Sequence, residues 1–370
     1  MKIGILTSSR ADYGIYLPLL KKIKEDNYFE LEIIAFGTHL SKSHGFTLNE
    51  IENDNYSKIH CISSLIANDD EQAIATSYAL TALKFADFWQ QNKFEIVLCL
   101  GDRFEMSAAV QAGIPFNVKF AHLHGGETTL GAIDNIYRHQ ITLASNLHFT
   151  ASEKFSERIF ELIGNKKNVF SVGSLSLHEI ENFQPINKTE FYEKFKLPNK
   201  DFALITFHPE TVNTEMNQHF ASEMRKALSH VASNMFLVIT MPNADTMGSV
   251  FRMEIEQLKN EFSTQVMCIE NFGKENYFSA MYYAKVLIGN TSSGIIEAAS
   301  FGKYVVNVGD RQQGRLQSDN VINTPFNNQN MIEAVDKTII NKTFNGKNKY
   351  YNQHVADLII HYIKQFYEIL

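Results

Sequence analysis

IVLCLGDRFEMSAAVQAGIPFNVKFAHLHGGETTLGAIDNIYRH, from Ile96 to His139, holds one strand–helix–strand unit and the start of a further helix. Ile96–Leu100 is a short, wholly apolar run that stops at Gly101-Asp102; Phe104–Gln111 reads as a helix, and Asn117–Leu123 as a second strand. Two such runs joined by a helical segment over roughly thirty residues specify a parallel βαβ crossover. The first strand lacks polar alternation, as expected where both faces of the sheet are covered.

The same alternation extends outward. Lys2–Thr7, Leu31–Phe36, Leu147–Thr150 and Val169–Val172 read as strands, and Tyr16–Glu25, Gln72–Gln91, Asn135–Ala144 and Glu153–Ile163 as helices. It then restarts. Phe202–Phe207, Phe236–Thr240, Val266–Ile269, Val286–Ile288 and Tyr304–Val308 read as strands, with helices at Asn217–Ala232, Gly248–Glu261, Phe278–Tyr283 and Gly294–Phe301. Gly173 to Leu197, containing Asn182-Phe183-Gln184-Pro185, reads as a linker. The expected fold is α/β, with two Rossmann-like doubly wound domains (residues 1–175 and 176–345) and a cleft between them. Val355, Leu358, Ile359, Tyr362, Ile363, Phe366 and Ile369 share one helical face, so residues 346–370 are expected to pack back on the N-terminal domain.

Composition narrows the function. The 370 residues are 44% hydrophobic, enough for two cores. The net charge is −7 with no basic block, which argues against nucleic acid or an anionic membrane surface as a partner. The apolar start, MKIGILT, is too short for a signal peptide or a membrane span. Cys61, Cys99 and Cys268 are widely spaced and form no CxxC pair, as expected of reduced thiols in a cytoplasmic protein.

Several loops at strand ends carry chemistry. His122–His139 packs three histidines, Glu127, Asp134 and Arg138 into one segment, with three glycines that allow close approach of a ligand. His122 and His124 alternate, so they point to opposite sides of an extended backbone. His122, His124, Glu127 and His139 could be read as metal ligands, but no HExxH or cysteine pair accompanies them; acid–base chemistry is the better expectation. Asp134 and Arg138 are spaced for an i,i+4 ion pair. Asp102 is placed either to cap the helix Phe104–Gln111 or to face a ligand. Ser8-Ser9-Arg10-Ala11-Asp12 opens a helix whose N–H groups, with Arg10, suit an anion unless Arg10 pairs with Asp12.

In the second domain, His208 ends a strand in FHPET, and GNTSSG (residues 289–294) lies between a strand and a helix, as a diphosphate-binding loop does. Glu297 is spaced to meet ribose hydroxyls or to cap the helix. GDRQQGR (residues 309–315) brings Arg311 and Arg315 to the same sheet edge.

In order, GDRFE, HLHGGE, GAID, RH, FHPET, PNAD, GNTSSGIIE and GDRQQGR resemble the motifs of the hydrolysing UDP-N-acetylglucosamine 2-epimerases, closest to the sialic-acid and legionaminic-acid pathway type. The resemblance runs from Arg10 to Arg315 and implies a glycosyltransferase-B-like fold. It implies anti elimination of UDP to a 2-acetamidoglucal, then hydration, giving N-acetylmannosamine from UDP-GlcNAc. The alternatives are the same reaction on UDP-N,N'-diacetylbacillosamine, or a glycosyltransferase of the same fold. The implied catalytic set is Asp102, His124, Glu127, Asp134 and Arg138. Some relatives carry a catalytic glutamate where this chain has His124, and either His124 or Glu127 takes over its role. The implied UDP contacts are Arg10, Arg103, His208, Asn243, Asn290, Thr291, Ser292, Ser293, Gly294, Glu297 and Arg311. No metal or other cofactor is implied, and the assembly is expected to be a homodimer or homotetramer.

Overall fold

The computed structural model describes residues 1–42, 45–66, 68, 70–212, 214–242, 247–270, 272–341 and 343–367. The chain divides into two compact units. The first comprises Met1–Glu127, Asp134–Glu179 and Tyr350–Leu370, and the second Thr128–Ile133 and Ile180–Lys349. The sequence boundaries thus shift by a few residues. The segment Thr128–Ile133, expected in the N-terminal domain, clusters with the second unit instead. Its Leu130 N–H donates to the Gln313 carbonyl at 2.9 Å, and its Ile133 N–H to Thr211 Oγ1 at 3.0 Å.

The first unit is a parallel sheet of seven strands: β1 Lys2–Thr7, β2 Glu30–Phe36, β3 Lys58–Ile62, β4 Ile96–Leu100, β5 Phe120–Leu123, β6 Leu147–Thr150 and β7 Val169–Ser171. Its helices are α1 Arg10–Glu25, α2 Leu48–Asn53, α3 Glu71–Gln91, α4 Phe104–Gly113, α5 Asp134–Ala144 and α6 Glu153–Ile163. The strand order is β3-β2-β1-β4-β5-β6-β7, so the winding reverses between β1 and β4. A ligand crevice forms at such a switch point, outside the C-terminal ends of the strands. The loops there are Ser8-Ser9 after β1 and Gly101-Asp102-Arg103 after β4.

The second unit has six parallel strands: β8 Phe202–Thr206, β9 Phe236–Thr240, β10 Val266–Ile269, β11 Val286–Gly289, β12 Val305–Val308 and β13 Val321–Thr324. Its helices are α7 Lys188–Lys194, α8 Asn217–Ala232, α9 Gly248–Glu261, α10 Lys274–Tyr283, α11 Ser292–Ile296 and α12 Asn328–Ile339. The order β10-β9-β8-β11-β12-β13 reverses between β8 and β11, and FHPET and NTSSG are the loops at that point.

The last helix, α13 Val355–Phe366, returns to the first unit. Val355, Ala356, Ile359 and Ile363 enter the same apolar cluster as Ile3, Ile5, Leu19 and Leu20. Phe170 stacks on Tyr362 with centroids 3.8 Å apart, and Lys364 reaches Asp26 at 2.6 Å.

Candidate active site

In the first unit the decisive contact is between α5 and the turn after β4. The Arg138 guanidinium is buried; its Nη2 donates to Asp102 Oδ2 and its Nη1 to the Glu127 carbonyl, the latter at 2.9 Å. Arg138 thus pairs with Asp102, and Asp102 does not cap α4, whose N-cap is Arg103 with no side-chain bond. Arg103 itself is forked onto the buried Glu105 at 3.0 and 3.2 Å.

His124 sits at a positive φ of 62°, an uncommon region in which histidine is enriched. Its Nε2 accepts from the Leu175 N–H at 3.3 Å, so its Nδ1 carries the proton of a neutral ring. Nδ1 faces Glu127 Oε1 at 3.7 Å, and Glu127 is buried. Asp134 opens α5, which places it one turn before Arg138. His139 lies 3.4 Å from the Asn135 amide, and His122 is buried and bonded through both ring nitrogens. Among the described residues, no three His, Cys, Asp or Glu side chains converge as metal ligands, so the tetrad considered above is not assembled.

Two glycines of this segment lie hard against other backbone. A Cβ on Gly126, at φ 78°, would lie 2.3 Å from the Phe155 carbonyl oxygen, and one on Gly131 would lie 2.2 Å from the Asp310 oxygen. Both glycines allow the backbone to pack closely against neighbouring backbone.

The loop after β1 is also corrected. Asp12 receives the N–H groups of Ser8 and Ser9 at 2.9 and 3.1 Å, so those donors are satisfied internally rather than offered to an anion. It also receives Thr7 Oγ1 at 2.6 Å and does not pair with Arg10. Burial pushes the Asp12 carboxyl up, but contacts with His39, Thr7 and Ser8 outweigh this and hold it below its usual range. Arg10 remains at the first turn of α1, its pKa lowered by burial and partly restored by Glu50.

In the second unit, Asn290 is fully buried, and its amide braces the backbone of His208: the His208 N–H donates to Oδ1 and Nδ2 donates to the His208 carbonyl, both at 2.8 Å. Asn290, expected to meet a ligand, thus positions His208 instead. Arg311 Nη1 donates to the Pro209 carbonyl at 2.6 Å, and Glu210 Oε1 accepts from the Asp310 N–H at 2.7 Å, which locks FHPET to GDRQQGR. Burial raises the Glu210 carboxyl above its usual range.

The Ser292-led helix is only five residues long, so hydroxyls and single N–H groups, not a helix dipole, are its resources. Glu297 stands at its C-cap rather than in its first turn, and is buried. Sequence reasoning missed Lys274 and Tyr277 of α10. Tyr277 Oη lies 2.6 Å from Ser293 Oγ, while burial pushes the Lys274 ammonium down to about 8 against the attraction of Glu297. No local motif marks either residue, since the pairing is made between separate elements. Asn243 lies outside the described residues.

A family model described as UDP-N-acetylglucosamine 2-epimerase matches residues 21–364. The chain belongs to that family. It is an enzyme acting on nucleotide sugars, on the hydrolysing side of the family. It is 36% identical, over 88% of its length and 85% of the relative's, to the GDP/UDP-N,N'-diacetylbacillosamine 2-epimerase (hydrolyzing) of Campylobacter jejuni. It is 34% identical to the UDP-N,N'-diacetylbacillosamine 2-epimerase (hydrolyzing) of Legionella pneumophila, over 87% of this chain and 84% of that one. Polysialic acid biosynthesis protein P7 of Escherichia coli is 30% identical over 99% of this chain and 94% of its own. The fold is shared with the UDP-GlcNAc 2-epimerase of Neisseria meningitidis bound to UDP-GlcNAc (TM-score 0.80, 17% identity, 99% and 100% of the two chains). This is the glycosyltransferase-B-like α/β fold expected from the motifs.

Proposed function

We propose that this 2-epimerase hydrolyses a UDP-2-acetamido sugar, with UDP-GlcNAc giving UDP and N-acetylmannosamine. The observation that carries the reading is the Arg138–Asp102 pair, adjoined by the His124–Glu127 contact, at the sheet edge of the first unit. It supplies two acid–base groups in fixed orientation. A base takes the C2 proton while the C1–O bond breaks with its electrons passing to UDP, leaving a C1–C2 double bond. Water then adds its hydroxyl at C1 and a proton at C2 on the opposite face. Asp102 and Asp134 are the residues assigned to proton transfer, with His124 and Glu127 as a coupled pair in place of a single glutamate. Arg10, Arg311, Thr291, Ser292 and Ser293 are assigned to the charge developing on UDP. His208, Gly294 and Glu297 are assigned to the nucleotide, with Arg103 in a lesser role because Glu105 holds it.

A second reading is UDP-N,N'-diacetylbacillosamine as substrate, favoured by the names of the Campylobacter and Legionella relatives. Incubation of the purified protein with each UDP-sugar, following UDP release and the free sugar by NMR, decides between them.

The assembly we propose is a homodimer or homotetramer of a cytoplasmic enzyme. Leu83 of α3, and Ile136 and Leu143 of α5, are 66, 57 and 61% exposed, which suits a face covered by a second copy. Tyr78 of α3 and Tyr137 of α5 stack with ring centroids 5.9 Å apart. No helix among the described residues is long and apolar enough to cross a membrane.

A further inference from the structure

The chemistry proposed above leaves one histidine of the H-x-H pair without a role. His122 is completely buried in β5. Its Nε2 lies 2.8 Å from the Gly101 carbonyl oxygen, and its Nδ1 lies 3.1 Å from Thr142 Oγ1. A carbonyl oxygen only accepts, so Nε2 carries the proton. In the neutral ring Nδ1 is then an acceptor, and the Thr142 hydroxyl donates to it. Of the two neutral tautomers, only the one protonated on Nε2 makes both bonds. Burial, with smaller contributions from His148, Arg138 and His124, outweighs the pull of the Gly101 carbonyl and lowers its pKa to about 3.

The two partners give this ring its significance. Gly101 immediately precedes Asp102 and has a φ of 78°, which favours glycine; its N–H donates to the Leu123 carbonyl at 3.0 Å. Thr142 lies on α5 one helical turn after Arg138, the partner of Asp102. The turn that carries Asp102 is therefore tied to α5 at two points, through Gly101–His122–Thr142 and through Asp102–Arg138. The same helix begins with Asp134. One ion pair fixes a distance and leaves the carboxylate free to pivot; a second strut fixes its direction.

We propose that His122, braced by Thr142, is the positioning residue that sets Asp102 relative to Arg138 and Asp134. This rests on the reading of Asp102 as an acid–base residue. His122 touches neither substrate nor reacting atoms; it acts through the Gly101 peptide.

The test compares His122→Phe, His122→Gln, Thr142→Val and Thr142→Ser with the wild type for kcat, KM and UDP affinity, and determines the His122 tautomer by 15N NMR. Because a misplacement of about 1 Å costs about 100-fold, His122→Phe should lower kcat about 10- to 100-fold while KM and UDP affinity stay within about threefold. His122→Gln, whose amide N–H can still reach Gly101, should recover most of the loss. Thr142→Val keeps volume and His122 and carries the test if His122→Phe fails to fold; it should lower kcat, and Thr142→Ser should restore it. The wild-type ring should carry its proton on Nε2.

Unchanged kcat in Thr142→Val and in any folded His122→Phe overturns the proposal. So does equal loss in His122→Gln and His122→Phe, a parallel rise in KM, or a proton on Nδ1. If the wild type turns over no UDP-sugar, it is the functional reading that fails. The tautomer, and the place of Asp102 in a crystal structure of Thr142→Val, then decide the strut by themselves: a displaced carboxylate supports it and an unmoved one overturns it.

Discussion

The Arg138 guanidinium and the Asp102 carboxylate form an ion pair in which the arginine side chain is 2% exposed and the aspartate side chain 24%. One oxygen of Asp102 is held from the protein side, while the carboxylate keeps an open face. Such an arrangement orients a group for proton transfer without enclosing it. Asp102→Asn should therefore lower kcat by about 100-fold or more with UDP affinity preserved. Asp134→Asn should do the same. UDP release at wild-type rate in either variant would remove that residue from the chemistry.

Asn290 and His208 form a second dependence, within the second unit. Asn290→Ala removes both side-chain bonds to the His208 backbone and should cost about 2–4 kcal/mol of stability. If the reorganised loop loses even about 1.4 kcal/mol of UDP binding, the Kd rises about tenfold. Calorimetric titration with UDP, beside a melting curve, reads both effects. An unchanged Kd would show that His208 does not need this brace to meet the nucleotide.

Acid should destabilise the fold through buried neutral histidines. Burial pushes His148 of β6 down to about 4, and His122 to about 3. An unfolded histidine titrates near 6.5, so as pH falls from about 6.5 toward 4 the unfolded chain takes up protons that the folded chain refuses. This stability is fully present above that window and is lost below it, at up to about 1.4 kcal/mol per pH unit for each histidine. His148→Gln should flatten its share of the slope in urea unfolding between about pH 7 and about pH 5. Parallel slopes for variant and wild type would show that His148 is not the source.

Charge placed on the apolar face of α3 and α5 should separate the subunits. Leu83→Glu combined with Leu143→Glu should shift light-scattering mass to the 42.2 kDa monomer. A wild type already at that mass would dispose of the face as an interface.

The central strands were legible because runs such as IVLCL at Ile96–Leu100 are buried on both faces and show it. The edge strands β3 and β13 were not. KIHCI and VINT are only partly buried, and Lys58 and His60 of β3 spend their charge and ring on Glu32 of the neighbouring strand, at 3.4 and 2.7 Å. The motif loops could be found because chemistry gathers at strand ends, and the sheets do place GDRFE, FHPET and NTSSG there. Partner choice could not. Nothing in the spacing showed that the crossover through β5 brings Asp102 to Arg138, thirty-six positions away. Ser8 and Ser9 looked like open anion donors because nothing local revealed that Asp12 would turn back to occupy them.

The most direct test of the central claim is turnover of UDP-GlcNAc and of UDP-N,N'-diacetylbacillosamine in D2O, followed by 1H and 31P NMR. Elimination and rehydration predict free UDP, a free sugar inverted at C2, and deuterium at C2 of that sugar. UDP release with protium retained at C2, or an epimerised UDP-sugar with no net UDP release, would contradict it.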